Sequence, residues 1–273
     1  MIKDVHHVGI AVRDLEAALK LFRDTLDMPS VKEGEMPARG VRVAALAAGR
    51  SYIEVIQPAS ENSPFAKHIE EHGEGLHHVA LWSDDVNGDV GKLRDLGVAL
   101  EDREPRAGFT GWLSYLRAEA FDGAVVEIVQ PETALSGKNE IGNHITRIDH
   151  VVLRVPSVSA VSERMEEWFG VPTKRTMERG EQAFAFMRPG DVVIEVIGPK
   201  SGGEPRSGRI AGLAFEVKGI DDLTDRVRAA GYPIGEPHAA LQGGRIVSIH
   251  HSGACGVPVA FIDFAGSPGP PRR

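Results

Sequence analysis

The chain has 273 residues, a formal net charge of −8 and a single cysteine, Cys255. An acidic balance excludes a general nucleic-acid or anionic-membrane surface as partner, since both need a basic face. A lone cysteine excludes an intrachain disulfide and fits a reducing, cytoplasmic setting. The start of the chain reads as neither a signal peptide nor a membrane span.

A strand-like phrase opening with histidine organises the sequence. It reads His7-Val8-Gly9-Ile10-Ala11-Val12, then His78-Val79-Ala80-Leu81, then His150-Val151-Val152-Leu153. A fourth copy, Gly212-Leu213-Ala214-Phe215, lacks the histidine. A second β phrase ends each copy, with glutamate in three (Ile53-Glu54-Val55, Val126-Glu127-Ile128, Ile194-Glu195-Val196) and alanine in the fourth (Val259-Ala260-Phe261). A repeat of this length sets the fold.

In the first module Asp14 is a helix N-cap, and Leu15, Ala18, Leu19, Phe22 and Leu26 share one apolar face. Pro29 and the Gly34/Gly40 region predict turns. Strands follow at Val41–Ala45 and Ser51–Ile56. In the second module Asp84-Asp85 caps a helix whose apolar face is Val86, Val90, Leu93 and Leu96, and Gly97 stops it. Strands near Trp112–Leu116 and Ala124–Val129 complete it. The third and fourth modules place helices at Val158–Phe169 and Asp221–Ala230. The pattern predicts an α+β fold of four modules, each strand, helix, strands, in two tandem domains with curved sheets. The domains are 1–132 and 147–266, with a linker at 133–146 and a disordered tail at 267–273.

Side chains alternate across a strand, so His7 shares its face with Gly9 and Ala11, and His78 with Ala80 and Trp82. A carboxylate amid β-branched residues is costly to bury unless paired or bound to metal. Glu54 and Glu127 are such carboxylates. Pairing of the modules about a pseudo-twofold axis brings His7, Glu54, His78 and Glu127 to one cavity. Two imidazoles and two carboxylates suit a divalent ion such as Co, Mn, Fe, Ni or Zn. The C-terminal half keeps His150 and Glu195 but has Gly212 and Ala260 at the other two positions, which reads as a vestigial or ligand-binding domain. His68-Ile69-Glu70-Glu71-His72 spells an inverted zinc-protease motif, but its polarity favours a solvated connecting helix. His6, His77 and the His250-His251 pair receive no role.

These phrases resemble the vicinal oxygen chelate superfamily, which includes glyoxalase I, bleomycin-resistance proteins and extradiol dioxygenases. Residues 4–130 are most similar to methylmalonyl-CoA epimerases, through His7-Val-Gly-Ile-Ala-Val-Arg-Asp-Leu-Glu16, Asn62-Ser-Pro-Phe-Ala-Lys67, His72-Gly-Glu-Gly-Leu-His-His-Val-Ala80 and Glu104-Pro-Arg-Ala-Gly108. The resemblance implies that each module is βαβββ and each sheet open. It also implies metal held by His7, Glu54, His78 and Glu127, a small-molecule substrate of the acyl-CoA kind, and an epimerase or isomerase that forms a metal-stabilised enolate. Glu127 and Glu54 are the carboxylates expected to move the proton, no further cofactor is expected, and a homodimer is admitted. The sequence departs from the family at Ala38, where the epimerases carry an active-site glutamate; Glu33 and Glu35 are near but out of register. That loss favours one-sided chemistry. The alternatives are a glyoxalase-type lyase, an Fe(II)-dependent dioxygenase, and a bleomycin-resistance-type ligand-binding protein.

Overall fold

The computed structural model describes residues 1–132, 143–204 and 207–265. The expected tail at 267–273 lies outside them, as does most of the expected linker. The first module comprises β1 (Ile2–Ala11), α1 (Leu15–Leu19), β2 (Ser30–Met36), β3 (Val41–Ala48) and β4 (Ser51–Pro58). Helix α2 (Pro64–His72) leads into the second, with β5 (Gly75–Ser83), α3 (Val86–Asp95), β6 (Arg106–Ala107), β7 (Gly111–Tyr115) and β8 (Val125–Pro131). The third holds β9 (Ile145–Arg154), α4 (Val158–Phe169), β10 (Thr173–Arg179), β11 (Gln182–Met187) and β12 (Val193–Pro199). The fourth holds β13 (Arg209–Val217), α5 (Ile220–Ala229), β14 (His238–Ala239), β15 (Arg245–Ile249) and β16 (Val259–Asp263). Among the described residues no helix is long and apolar enough to cross a membrane.

Each module is thus βαβββ, and the modules pair into two eight-stranded sheets. Their orders are β2-β3-β4-β1-β5-β8-β7-β6 and β10-β11-β12-β9-β13-β16-β15-β14, the same path shifted by eight strands. The first strand of each module lies at the centre of its sheet. There β5 runs parallel to β8, β9 to β12 and β13 to β16. A parallel pair needs a crossover, and the module's helix supplies it.

The helices follow their apolar stripes. Asp14 caps α1 by accepting from the Ala17 amide at 3.1 Å, and Leu15, Ala18, Leu19, Phe22 and Leu26 are all buried. The stripe is wider than expected because Lys20–Thr25 winds as a π-helix, which also turns Leu21 and Thr25 inward. Asp85 caps α3 through the Gly88 amide at 3.0 Å. Gly97 then takes φ +73°, a left-handed stop that glycine adopts without strain. Two expectations change. Leu96 is 47 % exposed, because it is the C-cap residue at which the chain leaves the helix. The segment after Pro29 is a strand and not a run of turns: β2 pairs antiparallel with β3, and Gly34 lies opposite Val43. Ladder pairing overrides local propensity here, and Lys32, Glu33 and Glu35 give β2 the charge usual for a sheet edge.

By compactness the chain forms two units. One gathers most of the second and third modules with the start of β1; the other gathers the rest of the first module and the fourth. In the former, Lys92 Nζ donates to the Glu167 and Trp168 carbonyls at 3.0 Å each, a cation on the exposed carbonyls that end α4. Arg164 reaches Asp122 at 2.9 Å, and Phe121 meets Trp168 edge-on at 5.6 Å. In the latter, Arg226 donates to the Asp24 carbonyl at 2.7 Å and Arg147 pairs with Glu216 at 2.6 Å.

Gly111 on β7 is a close backbone approach: a Cβ there would stand 2.2 Å from the Gln130 carbonyl oxygen and 2.9 Å from Pro131 Cα. Both obstacles are backbone of β8 and cannot rotate away. Gly111→Ala should therefore destabilise the protein by about 1–3 kcal/mol. A thermal midpoint unchanged from wild type would contradict this packing of β7 on β8.

Candidate metal centre

The four central strands of the first sheet, in the order β4-β1-β5-β8, each carry one candidate ligand. The donors therefore run Glu54, His7, His78, Glu127 across the sheet. Register fixes their face. On β5 and β8, His78 is opposite Val125 and Ala80 is opposite Glu127, so His78 and Glu127 lie on the same side. Glu54 is opposite Ala45 on β3, a small neighbour that leaves space in front of the carboxylate.

All four side chains are buried: His78 is 0 % exposed, His7 and Glu127 1 %, and Glu54 6 %. His7 Nε2 and His78 Nε2 are 3.0 Å apart, with their rings nearly perpendicular at 89°. Glu127 spans the pair, one oxygen 3.8 Å from His7 Nε2 and the other 3.6 Å from His78 Nε2. Glu54, His7 and His78 each offer a ligand atom within 4.8 Å of the other two. These three residues fit a divalent ion on this geometry, with Glu127 standing beside the two rings. Two ligands bound at about 2.1 Å sit about 3.0 Å apart at a right angle and about 3.4 Å apart at a tetrahedral angle. Burial pulls the His7 imidazole down to about 3, so the ring is held neutral, the form in which histidine binds metal.

The surroundings contain two groups that periodicity did not single out. His6 was set aside because its strand parity points away, yet it is buried and its Nδ1 lies 2.8 Å from His7 Nδ1. This contact engages the outer nitrogen of His7 and leaves Nε2 toward His78 and Glu127. Burial, and then the His7 ring, hold the His6 imidazole well below its usual range. Tyr115 lies opposite Glu127 on β7, with its hydroxyl 3.2 Å from His78 Nε2. No spacing rule reaches Tyr115, because a 3-10 turn at Ala118–Phe121 separates β7 from β8 and hides their register.

The other sequence candidates stand apart. His68 and His72 share a face of α2, with ring centroids 5.0 Å apart, as helical spacing requires. That helix docks through buried Phe65 and Ile69, while His72 is exposed. Among the described residues, the group of convergent histidine and carboxylate donors is His7, Glu54 and His78, not the α2 pair. In the second sheet His150 Nε2 and Glu195 are 4.0 Å apart and partly exposed. Ala260 sits opposite Ala214 where the first sheet sets Glu127 opposite Ala80, so half of the donor set is missing.

Comparison with known proteins agrees with the repeat. Models of the Glyoxalase/Bleomycin resistance protein/Dioxygenase superfamily match residues 6–116 and again residues 147–257. The ethylmalonyl-CoA/methylmalonyl-CoA epimerase of Cereibacter sphaeroides is 33% identical over 133 residues, covering 48% of this chain and 99% of that protein. The mitochondrial methylmalonyl-CoA epimerase of Homo sapiens is 27% identical over 128 residues, 46% of this chain and 73% of that protein. Both therefore correspond to about half of the chain. A mutant of 4-hydroxymandelate synthase from Streptomyces coelicolor superposes with a TM-score of 0.72 over 99% of this chain and 95% of its own. At 19% identity that likeness is one of fold. With one such domain in each half, the chain belongs to the glyoxalase/bleomycin resistance protein/dioxygenase superfamily.

Proposed function

We propose that the chain is a divalent-metal-dependent enzyme that removes a proton alpha to a carbonyl of an acyl thioester, an epimerase or isomerase of methylmalonyl-CoA-like substrates. The observation that carries this reading is the buried Glu54–His7–His78–Glu127 set on four adjacent strands. The similarity of the N-terminal half to methylmalonyl-CoA epimerases supports the substrate class. A divalent ion held by these four residues would act as a Lewis acid on a substrate oxygen.

The chain's own residues supply the rest. Burial keeps the His7 ring neutral, and the His6 contact orients it. The low-exposure floor of the sheet excludes water from the donors, which strengthens every electrostatic contact there. The carboxylate oxygens of Glu127 and Glu54 take the proton from carbon and return it.

Ala38 lies on the turn Pro37–Arg39 before β3 and offers no acid or base. Glu33 accepts from Ser30 at 2.7 Å and Arg23 at 3.4 Å on the exposed edge strand, and Glu35 is registered opposite Arg42. This arrangement favours a one-sided proton transfer, as in an isomerase or a glyoxalase-type lyase, over two-faced epimerisation.

Protein purified without chelator should carry one divalent ion per chain, and a His7→Ala/His78→Ala variant should lose it; stoichiometric metal in that variant would sink the assignment. Metal-loaded enzyme should exchange the alpha proton of methylmalonyl-CoA with solvent deuterium. No exchange would remove this substrate and reaction.

Acid sensitivity follows from His7. An unfolded histidine binds a proton below about pH 6.5, whereas the folded ring refuses one until about pH 3. The unfolded state gains protons in that window, so stability falls on acidification, by about 1.4 kcal/mol per pH unit at most from this residue. Denaturation of metal-free protein between pH 7 and 4 should show this slope, reduced in His7→Asn. An equal slope in both proteins would contradict the buried neutral imidazole.

A further inference from the structure

We propose that Tyr115 supplies a phenol oxygen as a further donor to the metal centre, an inference that rests on the centre described above. Its hydroxyl oxygen lies 3.2 Å from His78 Nε2, close to the 3.0 Å that separates the two histidine nitrogens. Both values suit neighbouring ligands of one ion with bonds of about 2.1 Å. Strand register places Tyr115 directly opposite Glu127, so its ring stands on the same face as the other donors.

The ring is held from behind, independently of any ion. The Tyr115 amide donates to Asp102 Oδ2 at 3.2 Å. The other oxygen of Asp102 accepts from Arg106 Nε at 2.7 Å. The Arg106 guanidinium in turn lies over the Tyr115 ring, 5.7 Å from its centroid. Ser114 Oγ also donates to the Asp102 carbonyl at 2.6 Å, which ties this loop to β7. These contacts hold the Tyr115 backbone and cover one face of its ring, as supporting groups do around metal ligands.

A nitrogen that binds an ion has no lone pair left to accept a hydrogen bond. When His78 Nε2 takes its place in the centre, the Tyr115 hydroxyl loses that acceptor and faces the ion. One oxygen–metal bond then forms, and the phenol proton passes to solvent. No electron transfer is involved.

The test loads wild-type, Tyr115→Phe and Tyr52→Phe proteins with ferric iron and measures iron content and visible absorption. Tyr52, on the same strand as Glu54, is the control. The inference predicts a phenolate-to-iron charge-transfer band in wild type and in Tyr52→Phe, with the band absent from Tyr115→Phe at equal iron content. One iron per chain in wild type without the band overturns this inference and leaves the metal centre standing. A band that persists in Tyr115→Phe overturns it too. No iron in wild type overturns both this inference and the centre it rests on. Should Tyr115→Phe take up no iron, Asp102→Asn decides, since it loosens the hold on Tyr115 and keeps the hydroxyl. A shifted band there supports the assignment, and an unshifted one overturns it.

Discussion

The burial of two carboxylates and two imidazoles in the middle of a β-sheet is the constraint that sets the first sheet apart. Isolated charged groups in such a place cost several kcal/mol each unless they are compensated. Compensation here comes from each other: Glu127 stands within 3.8 Å of both ring nitrogens, and His7 stays neutral. Only a topology that sets the first strands of two modules side by side brings these residues together. The order β4-β1-β5-β8 does so, with the other strands and the helices built outward from it. A divalent ion held there, as proposed, would offset the repulsion between the two carboxylates.

The second sheet shows what happens when this constraint is absent. Its strand path is the same, so the fold does not require the donors. With Gly212 and Ala260 in place of a histidine and a glutamate, the remaining His150 and Glu195 are 4.0 Å apart and partly exposed. Two donors are fewer than the four of the first sheet, and both side chains stay partly open to solvent. Apolar packing takes the place of the donors in this half: Phe215 stacks on Phe261 at 6.1 Å, and Ala214, Ile262 and Phe264 form an apolar cluster on the face where the first sheet keeps its candidate ligands.

The repeat made the module plan and the shared burial of His7, His78, Glu54 and Glu127 legible, because period-two alternation places these residues relative to their neighbours without knowledge of long-range contacts. Capping by Asp14 and Asp85 was legible for a similar reason, since both act within one helical turn. Features that depend on a distant partner were not. Strand β2 exists because β3 offers it a ladder, although its own residues read as turns. The π-helix at Lys20–Thr25 closes over the core and leaves no mark in the 3.6-residue spacing. Tyr115 and His6 reach the histidine pair through side-chain contacts, across a hairpin of hidden register in one case and against strand parity in the other.

Anomalous diffraction from crystals of the Co(II)-loaded protein would locate the ion. The account predicts one strong peak within bonding distance of His7 Nε2 and His78 Nε2, with carboxylate oxygens of Glu54 and Glu127 completing the shell. A peak at His68 and His72, or at His150 and Glu195, with none between His7 and His78, would contradict it.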